Sequence, residues 1–429
     1  MFSLDAILKK NKTTIPTEII AALTTFFTMA YILVVNPRIL GDAGMPVQAV
    51  FTATGLAAGI GCVLMGLRAN KPLALASGMG LNAYFAYTLV IGMGLPWQAA
   101  LAAVFAAATL VFLIALSGVT ISEAIPDSFK HALIAGLGLF LVFIGMQNAH
   151  FVVTNPATVV ALGDLTRPAA MIGLFGFLAT SLLFVRGAKG ALFLGVLITA
   201  IVAMAAGLTP LPQGVLSLPP SPAELFLKLD LRSLASLSLL PAIWTFFIIS
   251  FFDTIGTNIA LLTKAGYADR KGNVGGFKKA LEADGLAGMA GALLGVPTQV
   301  TYLEAATGIE SGGRTGLTAI GVGALFFLSV FFFPLISAIP IEAAAPAIII
   351  VGLFMLSGIG KIEFSDSTEA LPALLTLGTI PLTFSISNGI AVGSISYVFL
   401  KLATGRRKEI HPAMYLVALL SLLEFAHVF

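Results

Sequence analysis

The sequence predicts an all-α membrane protein whose fourteen transmembrane segments form a seven-plus-seven inverted repeat. Three observations carry that prediction. Of the 429 residues, 58% are hydrophobic and only 10% charged, and the mean hydropathy is +1.01. A soluble domain carries about 25% charged residues, so this chain has too little charge to cover a water-facing surface. Apolar runs close to the ~20 residues that cross a bilayer recur along the whole length, which predicts helical spans and not barrel strands. The basic residues, placed on those spans, fall overwhelmingly on one side.

The spans are expected at 16–38, 47–66, 72–92, 96–117, 128–148, 167–186, 188–208, 240–263, 276–295, 298–312, 314–338, 341–358, 369–385 and 388–404. A further apolar helix at about 411–428 ends the chain, with an expected place in the interface or on the cytoplasmic side. The opening MFSLDAILKKNKTTIP is short and basic with no cleavage-type site, so the first span is expected to stay as an uncleaved anchor. One cysteine, Cys62, excludes an intrachain disulfide and fits no metal pattern. His131, His150, His411 and His427 all avoid span centres, which argues against a histidine proton relay.

With the N-terminus in the cytoplasm, nineteen of the 23 Lys and Arg fall inside, among them Lys71, Lys189, Lys264, Arg270, Lys271, Arg314 and Lys401. Only Arg38, Arg167, Lys228 and Arg232 fall outside. A missed span would scramble this asymmetry from that point onward, so the positive-inside rule supports both the count and the orientation. The expected location is the cytoplasmic membrane. Two outer stretches are long: QNAHFVVTNPATVVALGDLTR, and the Pro-rich LTPLPQGVLSLPPSPAELFLKLDLRS at the midpoint of the chain. Seven spans on each side of that midpoint make the two halves point in opposite directions. Thr25-Phe26-Phe27 recurs as Thr245-Phe246-Phe247, and Leu81-Asn82-Ala83 is echoed by Leu303-Glu304-Ala305, at nearly one offset and in equivalent spans.

A charged side chain near the bilayer centre costs at least ~2.5–3.5 kcal/mol on insertion scales. Almost all of the 20 acids fall in loops or at span ends; Asp253, in TFFIISFFDTIGTNIALL, and Glu304 do not. Function is the default reading of both, against a structural role bonded to helix ends or hydroxyls. Span three, PLALASGMGLNAYFAYTLV, and span ten, VPTQVTYLEAATGIESGGRTG, each predict a short extended stretch leading into a helix. Non-helical backbone at this depth persists only when buried in protein or lining a cavity, and paired breaks in the two halves point to a binding site. Thr301, Leu303 and Glu304 lie at the second break, and Asn82 just past the first. Asp253 and Thr257 are four apart and share a helix face. Phe251, Phe252 and Tyr84 offer aromatic surface, more often core or lipid contact in such a chain. Glu310 and Arg314 are expected to form a local ion pair. Asp284 is read as either a helix-to-helix contact or a gate. The loop KAGYADRKGN lacks GxxxxGK[ST], so no ATP drive is implied.

TTFFTMAYILVVNP, ASGMGLNAYFAY, SFFDTIGT, TYLEAATGIESGGRTGLTA and PLTFSISNGIAVG together resemble the nucleobase–cation symporter-2 superfamily, and within it the azaguanine-type purine permeases. The resemblance runs through nearly the whole chain. It implies a core domain from 16–118 and 239–338, a gate domain from 127–208 and 341–404, and a cytoplasmic-side segment at 405–429 that departs from the pattern. It also implies uptake of adenine, guanine or hypoxanthine coupled to protons, with Asp253 and Glu304 as main ligands and Asn82 as a third contact. Thr257 occupies the place of a histidine in uracil-type relatives.

The chemistry is compatible with that reading. A purine is neutral, flat and edged with N–H donors and ring acceptors; carboxylates, amides and broken-helix backbone match such an edge. The substrate-binding set is thus Asn82, Asp253, Thr257, Thr301, Leu303 and Glu304. Burial disfavours the charged form of a carboxyl group, which makes Asp253 and Glu304 the candidates for carrying the coupling proton. A core moving as an elevator against the gate is the expected cycle. No cofactor other than the proton, no metal and no nucleic-acid partner is expected, and a homodimer would form through the gate domains. A uracil, xanthine or anion transporter is the first alternative; no span centre places an arginine for an anion. A channel or an intramembrane enzyme is the second; neither a repeated pore ring nor a nucleophile or metal set is evident.

Overall fold

The computed structural model describes residues 4–117, 125–269 and 274–425. Arg270, Lys271 and His427, placed by the sequence reading, lie outside the described residues.

After a short helix α1 (Leu4–Lys10), the first span is a pair, α2 (Ile15–Met29) and α3 (Ile32–Asp42), interrupted at Ala30 and Tyr31. Thr14 caps α2 by accepting from the Thr17 amide, and Pro16 sits in its first turn, where no intrahelical donor is lost. Next come α4 (Val47–Arg68), strand β1 (Leu75–Ser77), α5 (Met79–Ala83) continuing as a π-helix over Tyr84–Gly92, and α6 (Trp97–Ser117). The set α7 (Asp127–Asn148), an outer hairpin of β2 (Val152–Asn155) and β3 (Val159–Leu162), α8 (Pro168–Val185) and α9 (Ala191–Ala205) completes the first half.

The second half repeats the order. It holds α10 (Leu240–Lys264), α11 (Phe277–Leu294), β4 (Gln299–Thr301) and α12 (Ala305–Glu310). Then come α13 (Gly316–Ser329), α14 (Phe333–Ser337), α15 (Ile341–Leu356), α16 (Ser367–Thr383) and α17 (Ile386–Ala403). The fourteen expected spans are all present, within a few residues at each edge, and the fold is the seven-plus-seven inverted repeat.

The broken spans are joined to each other. Strands β1 and β4 pair antiparallel, Leu75 opposite Thr301, Ala76 opposite Val300 and Ser77 opposite Gln299. The Gly78 amide donates to the Thr298 carbonyl (3.0 Å) and the Tyr302 amide to the Ala74 carbonyl (2.9 Å). Two strands crossing in mid-membrane would otherwise leave bare amides in a medium without water, so each satisfies the other. Gly295, at φ +87°, ends α11 in the left-handed region, and Pro297 cannot donate to a continuing helix; together they force the chain into β4.

Packing separates the helices into two groups. In one, α11 lies against α4 and α6, α13 against α2 and α4, α10 against α6, and α3 against α4. In the other, α7 lies against α15 and α16, α16 against α17, and α8 against α9 and α15. Backbones touch within each group. A Cβ on Gly316 would sit 2.2 Å from the Gly66 carbonyl oxygen, and one on Gly352 would sit 2.5 Å from that of Gly138. Such contacts replace the hydrophobic drive that lipid does not provide.

The last helix, α18 (Pro412–Phe425), doubles back along α17, with Ser394 Oγ and Ser421 Oγ 3.4 Å apart. Met414, Val417, Ala418 and Ser421 form its buried stripe. Its connection is pinned by Lys401, 1% exposed, which meets Glu369 (2.9 Å), Glu409 (2.8 Å) and Asp366 (3.7 Å). The expected pair of Glu310 and Arg314 does not form. Glu310 meets Lys264 (2.5 Å), while the Arg314 guanidinium donates to the carbonyl of Ile309, at the end of α12, and to that of Gly313 in the turn beyond it.

Candidate functional site

A cavity lies where β1 and β4 cross, at the seam between the two helix groups. Its walls bring together Asp253 and Thr257 of α10, Thr301 at the end of β4, and Leu303 and Glu304 before α12. The chain breaks at Gly78–Leu81 and Val300–Tyr302 line it as well, and the second group adds Leu137, Val351, Phe354 and Met355. Five of the six sequence-predicted residues therefore share one cavity, and the spacing of Asp253 and Thr257 puts them on the same wall.

Glu304 is 8% exposed and accepts from the Tyr31 hydroxyl at 2.7 Å. The interruption between α2 and α3 is what turns Tyr31 toward it. The main chain before α12 carries Glu304 to the start of that short helix, whose first amides are taken by the carbonyls of Tyr302, Leu303 and Glu304. Asp253 is half-buried and, among the described residues, neither it nor Glu304 has an ion-pair partner. Thr301 uses its hydroxyl on Asp284 (2.8 Å), whose other oxygen accepts from Asn258 (2.7 Å). Asp284 is thus a brace between α10, α11 and β4, directly behind the cavity wall.

Asn82 stands apart. It is fully buried and does not line the cavity. Its amide donates to Asn36 Oδ1 (2.6 Å) and its oxygen accepts from Ser77 (2.9 Å); Asn36 in turn donates to Thr54 (2.8 Å). Phe251, Phe252 and Tyr84 are likewise core: Phe251 stacks on Phe247 at 5.3 Å, and the Tyr84 hydroxyl meets Ser387. The aromatic surface of the cavity comes instead from Tyr31, Tyr302 and Phe354. Tyr302 is held by its hydroxyl on the Ser77 carbonyl (2.5 Å), and the Phe354 ring is backed by Phe184 at 5.4 Å.

Tyr31 went unassigned in the sequence, and of the two readings of Asp284, helix-to-helix contact or gate, its bonds to Asn258 and Thr301 match the contact. Pro37, six residues beyond Tyr31, hinted at an irregular first span, whereas the phase of Asp284 depends on neighbours from two other spans. Glu18 and Glu282 were missed as buried acids. Glu18, 1% exposed, accepts from the amides of Arg314, Thr315 and Thr318 and caps α13; Glu282 pairs with Arg68 at 2.7 Å.

A second, larger space shares Leu303, Glu304 and Phe354 with the first and runs past Thr307, Lys189 and Glu310. It leads from the site toward the end of the molecule that carries the Lys- and Arg-rich connections, here called the basic end. The arrangement is therefore a largely apolar pocket bearing two acids, with a path to one face, able to bind a neutral ligand with donor groups on its edge. Among the described residues no cluster of three His, Cys, Asp or Glu side chains could hold a metal.

The comparisons with known proteins agree in kind. Adenine permease AdeP of Escherichia coli is 40% identical over 98% of this chain and 95% of its own length. Guanine/hypoxanthine permease PbuO of Bacillus subtilis is 40% identical over 96% and 98%. The transmembrane domain of the cyanobacterial bicarbonate transporter BicA matches in fold, with a TM-score of 0.64 at 14% identity, over 85% of this chain and 96% of that one. A family described as a permease family matches residues 16–392. With nine described helices long and apolar enough to cross a membrane and this match over most of its length, the chain belongs to that permease family and is a multi-pass membrane transporter, not an enzyme.

Proposed function

We propose that this permease imports purine nucleobases, adenine, guanine or hypoxanthine, by symport with protons. The observation that carries the reading is that Asp253 and Glu304 line one cavity at the crossing of two broken spans. The full-length relatives named for adenine and for guanine and hypoxanthine support the same substrate class. In this reading Asp253 and Glu304 accept N–H groups of the base, and main-chain groups of Gly78–Leu81 and Val300–Leu303 meet its ring nitrogens. Thr257 and Leu303 shape the floor, and Phe354 offers a flat face. A site built from hydrogen bonds rejects analogues that leave one of its buried groups unpaired. Asn82 acts here as a support for the β1–α5 break, one step behind the ligand.

The proton belongs to Asp253 or Glu304 in the same proposal. Protonation of one acid lowers the cost of carrying the loaded site past the apolar seam. The helix group holding α2–α6 and α10–α14 is the moving core, and the group holding α7–α9 and α15–α17 is the gate against which it slides as an elevator. The N-terminus is cytoplasmic, the membrane is the cytoplasmic one, and any homodimer forms through the gate group. Proteoliposomes with an imposed pH gradient test the function. Saturable accumulation of adenine, guanine or hypoxanthine that follows the gradient is expected, with uracil and xanthine as the competing substrates. Accumulation of none of the three, or of uracil alone, would overturn it.

A further inference from the structure

The inverted repeat makes the α8–α9 hairpin the counterpart of the α16–α17 hairpin, and their tips sit at opposite ends of the molecule. The two tips are in different states.

The α16–α17 tip is docked. Phe384 ends α16 at φ 52° and ψ 27°, a left-handed conformation that is strained for a bulky side chain. Its carbonyl accepts from the Thr88 hydroxyl at 2.7 Å. Its ring lies between Tyr87 (6.3 Å) on the π-helix and Phe140 and Phe143 (5.3 and 5.2 Å) on α7. A few residues on, Ser387 Oγ meets the Tyr84 hydroxyl (2.8 Å) and lies 3.3 Å from Thr245 Oγ1 of α10. These contacts lie beyond the cavity, away from the basic end. From Leu81 to Thr88 is about 10 Å of helix, and from Leu137 to Phe140 about 5 Å.

The α8–α9 tip is not docked on the broken span; it leans on α2 instead, with Gly190 against Phe27 and the Phe193 ring 5.8 Å from that of Phe27. Gly187 and Gly190 hold positive φ, and the segment Gly187–Leu192 forms a wall of the larger, second space. Lys189 reaches Ser311, past the end of α12, by a single bond of 3.1 Å.

We propose that these two tips are the alternating gates of the transport cycle, each closing on the broken span of the opposite half. Here the outer gate, built on Phe384, Ser387, Thr88 and Tyr84, is shut, and the inner one is open. The inference rests on the chain being a transporter and not on the identity of its substrate. Opening toward the far side requires the Phe384 tip to leave the π-helix, and the strained turn lowers the cost of that release.

Thr245→Cys with Ser387→Cys tests it directly. Both native oxygens sit one carbon from the backbone and 3.3 Å apart, close enough for a disulfide after a small adjustment. The native Cys62 is fully buried, so the background is silent. Oxidation is expected to cross-link the pair and stop uptake of radiolabelled adenine and hypoxanthine, with recovery on reduction. Failure to cross-link, or cross-linked protein that transports normally, overturns the proposal.

A second arm needs no substrate. Met79→Cys in the cavity wall is labelled with an impermeant maleimide applied from the outer side. Adding Phe384→Gly and Thr88→Val is expected to raise the labelling rate at least tenfold; an unchanged rate overturns the proposal. If unmodified protein takes up no purine while the labelling shift appears, the substrate reading fails and the gates stand.

Discussion

The two broken spans have the same design and opposite uses. Each sends a three-residue strand to the mid-membrane crossing and follows it with a short helix, and each places a polar side chain just past the break. In the second half that side chain, Glu304, faces the cavity with one hydrogen bond, from Tyr31. In the first half, Asn82 faces away and is satisfied on both sides by Asn36 and Ser77. An acid left with unused acceptor capacity in such a place is costly to maintain unless a ligand or proton meets it. An amide with its partners in place stiffens the frame. The lesson is that an inverted repeat duplicates backbone geometry and leaves each half free to assign the adjacent side chain to binding or to support.

The sharpest way to break that comparison is to remove the acids. Glu304→Gln and Asp253→Asn are each expected to lower proton-driven uptake by about two orders of magnitude. The affinity part follows from losing a hydrogen bond to a charged group, about 1.5–3 kcal/mol, and the rest from lost coupling. Uptake against a pH gradient measures it. Variants that still concentrate purine with normal pH dependence would remove both acids from the mechanism.

Tyr31→Phe sharpens the comparison from the other side, because it leaves Glu304 without its one protein donor. A loss of about 1–3 kcal/mol is expected, seen as an approximately fivefold or greater change in purine affinity with the fold intact. Asn82→Ala should do the reverse. Two buried partners lose their bonds, so thermal unfolding of the purified protein should show about 1–3 kcal/mol of destabilisation while affinity stays within about twofold. An Asn82 variant with normal stability and weak binding would make the two breaks functionally alike.

The smallest effect lies away from both breaks and sets the baseline. Asp366, at the start of α16, is held well below the usual carboxylate range, first by its bond from the Thr368 hydroxyl, then by the Thr368 amide and Arg406. A depressed pKa contributes stability above the unfolded value and loses it as pH falls through the folded one. Asp366→Asn should therefore cost no more than about 1 kcal/mol at neutral pH. The deficit should vanish on acidification below the ordinary carboxylate range. Melting curves over pH, with uptake unchanged, check this.

Much of the frame could be read from the sequence because the bilayer imposes a simple code. Span length, the asymmetry of Lys and Arg and the glycines of spans three and ten each report a local constraint. Asp253, Thr257, Thr301, Leu303 and Glu304 were legible for the same reason: acids in apolar helices and breaks in apolar spans are conspicuous. What failed to show was tertiary. Asn82 looks like Glu304 in its surroundings, and only the position of Asn36, from another span, decides which way it turns. Glu310 found Lys264 instead of Arg314 because helix ends compete for the guanidinium. The last helix folds back on α17 because its apolar face matches that groove, a fact no count of charges contains.

Equilibrium binding of radiolabelled adenine and hypoxanthine to the purified protein tests the central claim most directly, with Glu304→Gln and Asn82→Ala measured beside the unmodified chain. Saturable binding that falls at least about tenfold in Glu304→Gln and stays within about twofold in Asn82→Ala is the predicted result. Binding that is absent in the unmodified protein, or that Asn82→Ala weakens as much as Glu304→Gln does, would contradict it.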